Sequence, residues 1–494
     1  MKILLVYPEF PDTYWSFRYA LGFEGKRAAF PPLGLLTVSA MLPTDWERRL
    51  VDLNVESLTP PDMEWADMVF VSAMIVQKES LENTVALCRS MGKKVVVGGP
   101  YVSTSSERLP EADHIFVGEA ENTLPEFLND LDLGIARKIY KAHERPSLEN
   151  TPVPDFSLID LSKYSAMNVQ YSRGCPFNCE FCDIIEIYGR VPRTKSNSQM
   201  LAELDALKEI GWRGMLFIVD DNFIGNKKNV RKFMPDLIEW SRSNGNPFAY
   251  LTEASVNLAE DDQLLQQMED AGFRRVFLGI ETPVEESLKE AQKSQNTRRD
   301  LLESIHKIQS FGMEVMAGFI VGFDNDPDDI FDRQVDFIRE SGIPLAMVGL
   351  LTALPDTQLW RRLEKEGRLL DESTGNNTDC TINFVPRMET SRLIEGYKTI
   401  LRSIYGPKEY YRRALDCLSR FHKDRVEPRS SSTIEDLKAF GRIIMTLGIL
   451  DRSRRDFWSY FFQLLRHHST DLAHGMTLAA MGYHFRRVTN KYCD

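Results

Sequence analysis

Tyr171-Ser172-Arg173-Gly174-Cys175-Pro176-Phe177-Asn178-Cys179-Glu180-Phe181-Cys182-Asp183 follows directly on an apolar run, Met167 to Tyr171, that reads as a buried strand. The stretch carries Cys-x3-Cys-x2-Cys. Three thiolates this close on one loop, Cys175, Cys179 and Cys182, can bind three irons of a [4Fe–4S] cluster and leave the fourth iron open to an external ligand. Gly174 and Pro176 suit a tight wrapped loop rather than a helix. Two blander readings stand beside this one. Three small buried hydrophobes are opposed by the flanking Arg, Asn, Glu and Asp, and a zinc site lacks an obvious fourth ligand nearby.

Working outward, apolar runs at Met215 to Val219, Phe248 to Leu251, Arg275 to Ile280, Val315 to Val321 and Ala346 to Leu351 alternate with helix-length sequence such as Gln199 to Ile210 and Leu301 to Phe311. Six β/α units over residues 161–355 predict a partial or complete α/β barrel, with functional groups on the loops at the C-terminal ends of its strands. Upstream, over residues 1–135, continuous Val/Ile/Leu/Phe runs at Lys2 to Tyr7, Arg49 to Leu53, Met68 to Ala73, Lys94 to Val97 and His114 to Val117 predict a doubly wound, Rossmann-like parallel sheet of about five strands. Ligands of such sheets sit beyond the carboxyl ends of the strands. No Gly-x-Gly-x-x-Gly follows the first strand, which weakens a nicotinamide or flavin dinucleotide reading. Residues 136–160, with Pro146, Pro152 and Pro154, read as a linker. From 356 to 494 strand signals fade and the sequence reads as mainly helical. The fold class is α/β throughout its first two domains.

The chain has 494 residues with 43% hydrophobic and 27% charged side chains, which excludes a disordered or disulfide-stapled chain. Seven cysteines, at 88, 175, 179, 182, 380, 417 and 493, form no paired framework. No apolar run approaches the roughly 20 residues that span a bilayer, and the apolar start meets Pro8 and Glu9 too soon for a signal peptide, so a cytoplasmic protein is expected. A net charge of −12 argues against general nucleic-acid affinity. The charge is uneven: residues 401–494 hold 17 Lys/Arg and 10 Asp/Glu, a balance of +7, so the other 400 residues carry −19.

The cysteine spacing, taken with the barrel, resembles the radical S-adenosylmethionine (SAM) superfamily, in which SAM chelates the open iron. That resemblance implies contacts at successive strand ends: Asp220, Asp221 and Asn222 after the second strand, Glu253 and Ser255 after the fourth strand of the family's pattern, and Gly279 and Glu281 of Gly279-Ile280-Glu281 after the fifth. Phe181 matches the residue whose backbone meets adenine, and Gly318 opens the sixth-strand signature. Taken singly, a paired Asp is often a helix N-cap and a Gly after a strand a turn. The upstream domain resembles the cobalamin-binding domain of one class of these enzymes through Asp52-Leu53-Asn54, Ser72-Ala73-Met74 and Gly98-Gly99-Pro100. Asn54, Ser72, Met74, Gln77, Gly98 and Gly99 are the implied cobalamin contacts, with Met74 to Gln77 facing the lower side of the corrin. Asn54 stands where other cobalamin proteins have a histidine ligand to cobalt, so that loop cannot supply one. Within the class, residues 160 to about 400 resemble the subfamily of bacteriochlorophyllide side-chain methylases and the hopanoid C-2 methylase, through Cys182-Asp183-Ile184-Ile185, Asp220 to Lys228 and Met316 to Asp324.

The resemblance implies a cobalamin-dependent radical SAM C-methyltransferase. Its cofactors would be a [4Fe–4S] cluster, SAM and cobalamin. It would act through a 5′-deoxyadenosyl radical and methylcobalamin on an unactivated carbon of an apolar small molecule, a lipid or a tetrapyrrole, and a flavodoxin- or ferredoxin-type protein would supply electrons. Two alternatives stay open: cyclisation or oxidation with the same cofactors, and an iron–sulfur sensor without turnover. In the tail, Phe457-Trp458-Ser459-Tyr460-Phe461-Phe462-Gln463-Leu464-Leu465-Arg466, flanked by Arg452, Arg454 and Arg455, reads as an amphipathic helix packed on the barrel, as the lining of an apolar substrate entrance, or as a peripheral contact with an anionic membrane surface. His422, His467, His468, His474 and His484 form no ligand set.

Overall fold

The computed structural model describes residues 1–104, 111–376, 378–421 and 434–493; His422 lies outside them. The first sheet is built of β1 (Lys2–Tyr7), β2 (Glu47–Asp52), β3 (Met68–Ser72), β4 (Lys94–Gly98), β5 (His114–Val117) and β6 (Ile139–Lys141). All pairings are parallel, in the order β2-β1-β3-β4-β5-β6. In β1 the side chains of Leu4 and Val6 enter one core and those of Ile3 and Leu5 the other, which is why the strand is apolar at every position. The strand order reverses between β1 and β3, the place where doubly wound sheets bind ligands. The stretch read as a linker opens with a sixth strand: Ile139–Lys141 pairs with β5, three residues too short to register as an apolar run.

The second sheet contains β7 (Met167–Val169), and the short antiparallel ribbon β8 (Ser172–Arg173) with β9 (Arg193–Thr194) stands beside it. It continues with β10 (Gly214–Ile218), β11 (Phe248–Ala254), β12 (Phe273–Glu281), β13 (Glu314–Val321) and β14 (Ala346–Leu350), all parallel in the order β14-β13-β12-β11-β10-β7. The outer strands β7 and β14 do not pair, so the barrel is partial.

Two segments bind the molecule together. Residues 8–32, the connection after β1, leave the first domain and lie on the barrel: the N–H groups of Ser165 and Ala166 donate to the carbonyls of Ala28 and Ala29 at 3.1 and 2.9 Å. Tyr14 stacks on Phe485 at 5.0 Å, and His484 donates from Nε2 to the Tyr14 carbonyl at 3.0 Å while its Nδ1 accepts from the Tyr19 N–H. Burial pushes the His484 imidazole down to about 4, so it is neutral, a packing histidine. The C-terminal helices Thr390–Tyr405, Pro407–Arg420 and Leu472–Cys493 extend the barrel core, and the fully buried Arg413 donates to the carbonyls of Ile343, Pro344 and Ile404. Among the described residues no helix is long and apolar enough to cross a membrane.

Candidate functional site

Between the carboxyl ends of the first sheet and the mouth of the barrel lies one cavity of about 1200 Å³, larger than the roughly 300–1,000 Å³ of ordinary ligand clefts. Asn54, Ser72, Met74, Gly98 and Gly99 line it from the first sheet, and Phe181, Asp220, Asp221 and Glu253 from the barrel. Asn222, Ser255, Gly279, Glu281, Gly318 and Gln77 lie behind this lining, and their contacts say why.

The cysteine loop leaves β8 and returns through β9. Gly174 starts it at φ +95°, and a Cβ there would lie 2.8 Å from the Gly189 carbonyl, so the wrap needs glycine. The Gly174 N–H donates to Asp221 Oδ2 at 3.2 Å, and the Cys175 N–H to the Gly189 carbonyl at 3.1 Å. Two amides point at sulfur: Asn222 Nδ2 lies 3.8 Å from Cys175 Sγ and Gln295 Nε2 lies 3.6 Å from Cys179 Sγ. Amide donors to thiolate are what an iron–sulfur cluster receives from its protein.

The acidic residues at the strand ends divide into two kinds. Asp220 is committed within the protein: Oδ1 accepts the Tyr171 N–H at 2.7 Å and Oδ2 the Ser172 hydroxyl at 2.6 Å, so it clamps β10 to the root of the cysteine loop. Asn222 accepts the Ser255 N–H at 3.3 Å, and Ser255 donates to Asn257 at 2.6 Å. Glu281 sits at φ +64° after a bulge in β12 and pairs with Lys293 at 2.6 Å. A Cβ on Gly279 would fall 2.5 Å from the Glu281 carboxylate and 2.6 Å from Lys293 Nζ, so this glycine makes room for an ion pair. Asp221 and Glu253 line the cavity beside Asp220. Burial pushes Asp221 up to about 7 and Glu253 up to about 8, each raised further by its acidic neighbours.

On the opposite wall Asn54 is also spent internally. Its Nδ2 donates to Asp52 Oδ1 at 2.7 Å and to the Pro8 carbonyl at 3.2 Å, and its Oδ1 accepts the Phe10 N–H at 2.9 Å. Gln77 is buried with its amide on the Pro8 carbonyl and the Met74 N–H, so of the turn after β3 it is Met74 and Val76 that reach the cavity. Gly99 stands at φ +99°, where a Cβ would meet Ser72 Oγ at 2.6 Å.

Three features escaped the sequence reading. Residues 8–32 supply an aromatic wall: Trp15 lies 5.1 Å from Phe277 and Phe30 lies 5.2 Å from Phe217, all four lining the cavity. Gly375, from beyond the barrel, closes it against Ile75 and Val76, aided by an ion pair of Lys78 with Glu372 at 2.8 Å. Finally, a buried charge cluster joins the domains: Glu119 contacts Arg173 at 2.7 Å and Arg193 at 2.8 Å, and Glu121 contacts Arg173 at 2.9 Å. Gly118 was its one visible signal, a glycine after β5 just as Gly98 ends β4.

Family models match in three pieces: a B12 binding domain over residues 27–128, the radical SAM superfamily over 169–358 and a domain of unknown function (DUF4070) over 357–494. An uncharacterized methyltransferase of Synechocystis sp. is 42% identical over 489 residues, 98% of this chain and 91% of that protein. Hopanoid C-2 methylase of Rhodopseudomonas palustris is 34% identical over 475 residues, 94% of this chain and 89% of that one. The chain belongs to the cobalamin-dependent radical SAM methyltransferases. Its fold is that of the cobalamin-dependent SAM radical enzyme OxsB with aqua-cobalamin and SAM bound, at TM-score 0.63 and 17% identity, covering 99% of this chain and 79% of that one. This methyltransferase therefore works with a [4Fe–4S] cluster, SAM and cobalamin. The site suits them: beside the cavity the cysteine loop carries amide donors to Cys175 and Cys179, and at the other end the glycine-bearing end of β4 lines the chamber.

Proposed function

We propose that this methyltransferase places a methyl group on an unactivated carbon of an apolar, polycyclic lipid of the hopanoid kind. The observation that carries the reading is the single cavity, which brings the cysteine-loop side of the barrel and the ligand edge of the first sheet to one chamber walled by Trp15, Phe30, Phe217 and Phe277. When bound, the cluster and SAM supply hydrogen abstraction and cobalamin supplies the methyl group.

The chain's own residues then bind, orient and seal. Cys175, Cys179 and Cys182 hold the cluster, with Asn222 and Gln295 donating to sulfur. Asp221, Glu253 and the Phe181 backbone receive SAM, while Asp220, Ser255, Gly279, Glu281 and Gly318 shape the strand ends that carry them. Ser72, Met74, Gly98 and Gly99 meet cobalamin, Asn54 and Gln77 hold the turns that present them, and the aromatic wall keeps water from the reacting carbon. Electrons come from an external flavodoxin- or ferredoxin-type donor. The similarity to hopanoid C-2 methylase and the apolar wall support a lipid substrate.

Turnover with hopanoid lipids under anaerobic reduction tests this. The expected result is S-adenosylhomocysteine and 5′-deoxyadenosine in about equal amounts, after subtraction of SAM cleavage without substrate, with labelled methyl from SAM on a ring carbon. Substrate-dependent deoxyadenosine with an unmethylated product would overturn the reading in favour of oxidation or cyclisation.

A further inference from the structure

We infer that the helical hairpin of residues 434–467 is a docking surface for an anionic lipid bilayer. It comprises the helix Ile434–Ile443, a π-helical turn Ile444–Leu450 and the helix Arg454–His467. The hairpin is anchored from beneath: Ile443, Leu447, Phe457, Tyr460 and Leu464 are buried in the core shared with the barrel. Yet it turns a second apolar set outward. Leu437 is 71% exposed, Met445 52%, Ile449 53%, Leu450 70%, Phe462 62% and Leu465 43%.

On the turn and the second helix these exposures are tied together. Met445 and Ile449 are four residues apart on one side of the turn, as Trp458 and Phe462 are on the second helix. Trp458 joins the rows: its indole N–H donates to the Gly448 carbonyl at 2.9 Å and its ring stacks on Phe462 at 5.8 Å. Large exposed apolar patches mark interaction surfaces, and π-helical turns are found mostly at functional positions.

Charge selects the partner. Exposed Lys438, Arg452, Arg454, Arg455 and Arg466 stand on the same hairpin. Residues 434–467 hold six Lys/Arg against four acids, Glu435, Asp436, Asp451 and Asp456, of which Asp451 is neutralised by Arg486 at 2.5 Å from outside the hairpin. The hairpin thus combines aliphatic and aromatic side chains with arginine on a chain whose first 400 residues carry −19. An anionic surface would repel that remainder and attract this end. An apolar face combined with basic residues is the pattern that lies in a bilayer interface, and no helix here could span one. The patch also adjoins the cavity: Arg442 donates to the Phe23 carbonyl at 2.7 Å, and neighbouring Gly22, Lys26 and Arg27 line the cavity's rim. An apolar substrate would then leave the bilayer beside the chamber that receives it, a consequence that rests on the lipid reading; the docking itself does not.

Co-sedimentation of the full chain with vesicles tests the docking without any turnover. The expected result is binding to phosphatidylglycerol/phosphatidylcholine vesicles that weakens with salt and is much poorer on pure phosphatidylcholine. Arg454→Gln with Arg455→Gln should weaken it by about fivefold per charge. The triple variant Ile449→Glu, Leu450→Glu, Phe462→Glu should abolish it with melting temperature and iron loading unchanged, since all three side chains are exposed. No sedimentation with anionic vesicles would overturn the inference. So would equal binding by wild type and the triple variant, or light scattering that shows a dimer dispersed by the triple variant with no vesicle binding, which would make the patch a contact between copies. Vesicle binding with no methylation of hopanoids would leave the docking standing and sink the substrate reading alone.

Discussion

Glu253 faces the cavity in surroundings that oppose its charge. Burial is the main cause and Asp221 and Asp220 add to it, against the partial opposition of Lys293, so the carboxyl stays protonated up to about pH 8. The folded state then holds a proton that the unfolded chain releases near the ordinary glutamate value. The stabilising effect is complete below that value and is lost as pH rises through about 8. The protein without SAM should therefore melt at progressively lower temperature as pH climbs from about 4.5 to 8, and Glu253→Gln, which fixes the neutral form, should flatten that slope. An unchanged slope would show Glu253 to be solvated and charged. A second prediction concerns cobalt. Asn54 has its amide committed to Asp52, Pro8 and Phe10, and among the described residues no histidine lines the cavity. Paramagnetic resonance of the Co(II) form should show no axial nitrogen from a protein imidazole; strong nitrogen coupling removed by a His→Ala substitution would contradict this. At this scale the sequence showed which residue types gather at the strand ends but not how each is used. Asp220 and Asp221 are adjacent, chemically identical and both line the cavity, yet Asp220 gives both carboxylate oxygens to Tyr171 and Ser172 while Asp221 accepts the Gly174 N–H, a difference set by tertiary pairing that no local pattern encodes.

Strand ends carry the site, and two adjacent glycines at the end of β4 separate what the backbone needs from what a ligand needs. Gly99, at φ +99° and with a would-be Cβ 2.6 Å from Ser72 Oγ, is demanded by the fold. Gly99→Ala should cost about 1–3 kcal/mol of stability whether or not cobalamin is present. Gly98 has no such constraint: its would-be Cβ meets Phe116 at an ordinary 3.7 Å, and the residue lines the cavity. Gly98→Ala should leave apo stability nearly unchanged while lowering cobalamin retention through gel filtration. Equal retention by wild type and Gly98→Ala would move the corrin away from β4. Of the twelve strands in the two parallel sheets, the eleven other than β6 were visible in the sequence, because strands buried on both faces must be apolar at nearly every position, whereas the separate two-residue ribbon β8–β9 was not. β6 and the 8–32 connection were not visible. The first is too short to make a run, and the second is aromatic and polar by turns because its partners, Tyr164 and Phe485, come from distant parts of the chain.

At the scale of the whole molecule, the reacting groups can share a chamber only if two domains keep a fixed register, and Glu119 lies where that register is held. It starts the helix after β5 in the first domain, while its partners Arg173 and Arg193 stand on β8 and β9, the two strands that flank the cysteine loop. All three are nearly buried, with side chains 4%, 12% and 16% exposed. The Arg193 guanidinium also donates to the Pro146 carbonyl at 2.6 Å, which ties the residues between the domains into the same cluster. Removing Glu119 leaves Arg193 without its carboxylate and Arg173 with Glu121 alone, a loss of up to about 3–5 kcal/mol, whereas a solvent-exposed pair contributes about 0–1 kcal/mol. The Lys78–Glu372 pair, with side chains 35% and 22% exposed, is more open to solvent and also crosses between first domain and C-terminal region, so it makes a control. Glu119→Ala should lower the urea midpoint strongly and speed thiol labelling of Cys175 in the apo protein, because the loop loses the anchors at both of its ends; Glu372→Ala should do neither. If the two variants behaved alike, the register would have to be held by the apolar contacts of residues 8–32 instead, and Tyr14→Ala, which removes the stack on Phe485, would then be the substitution that frees the loop.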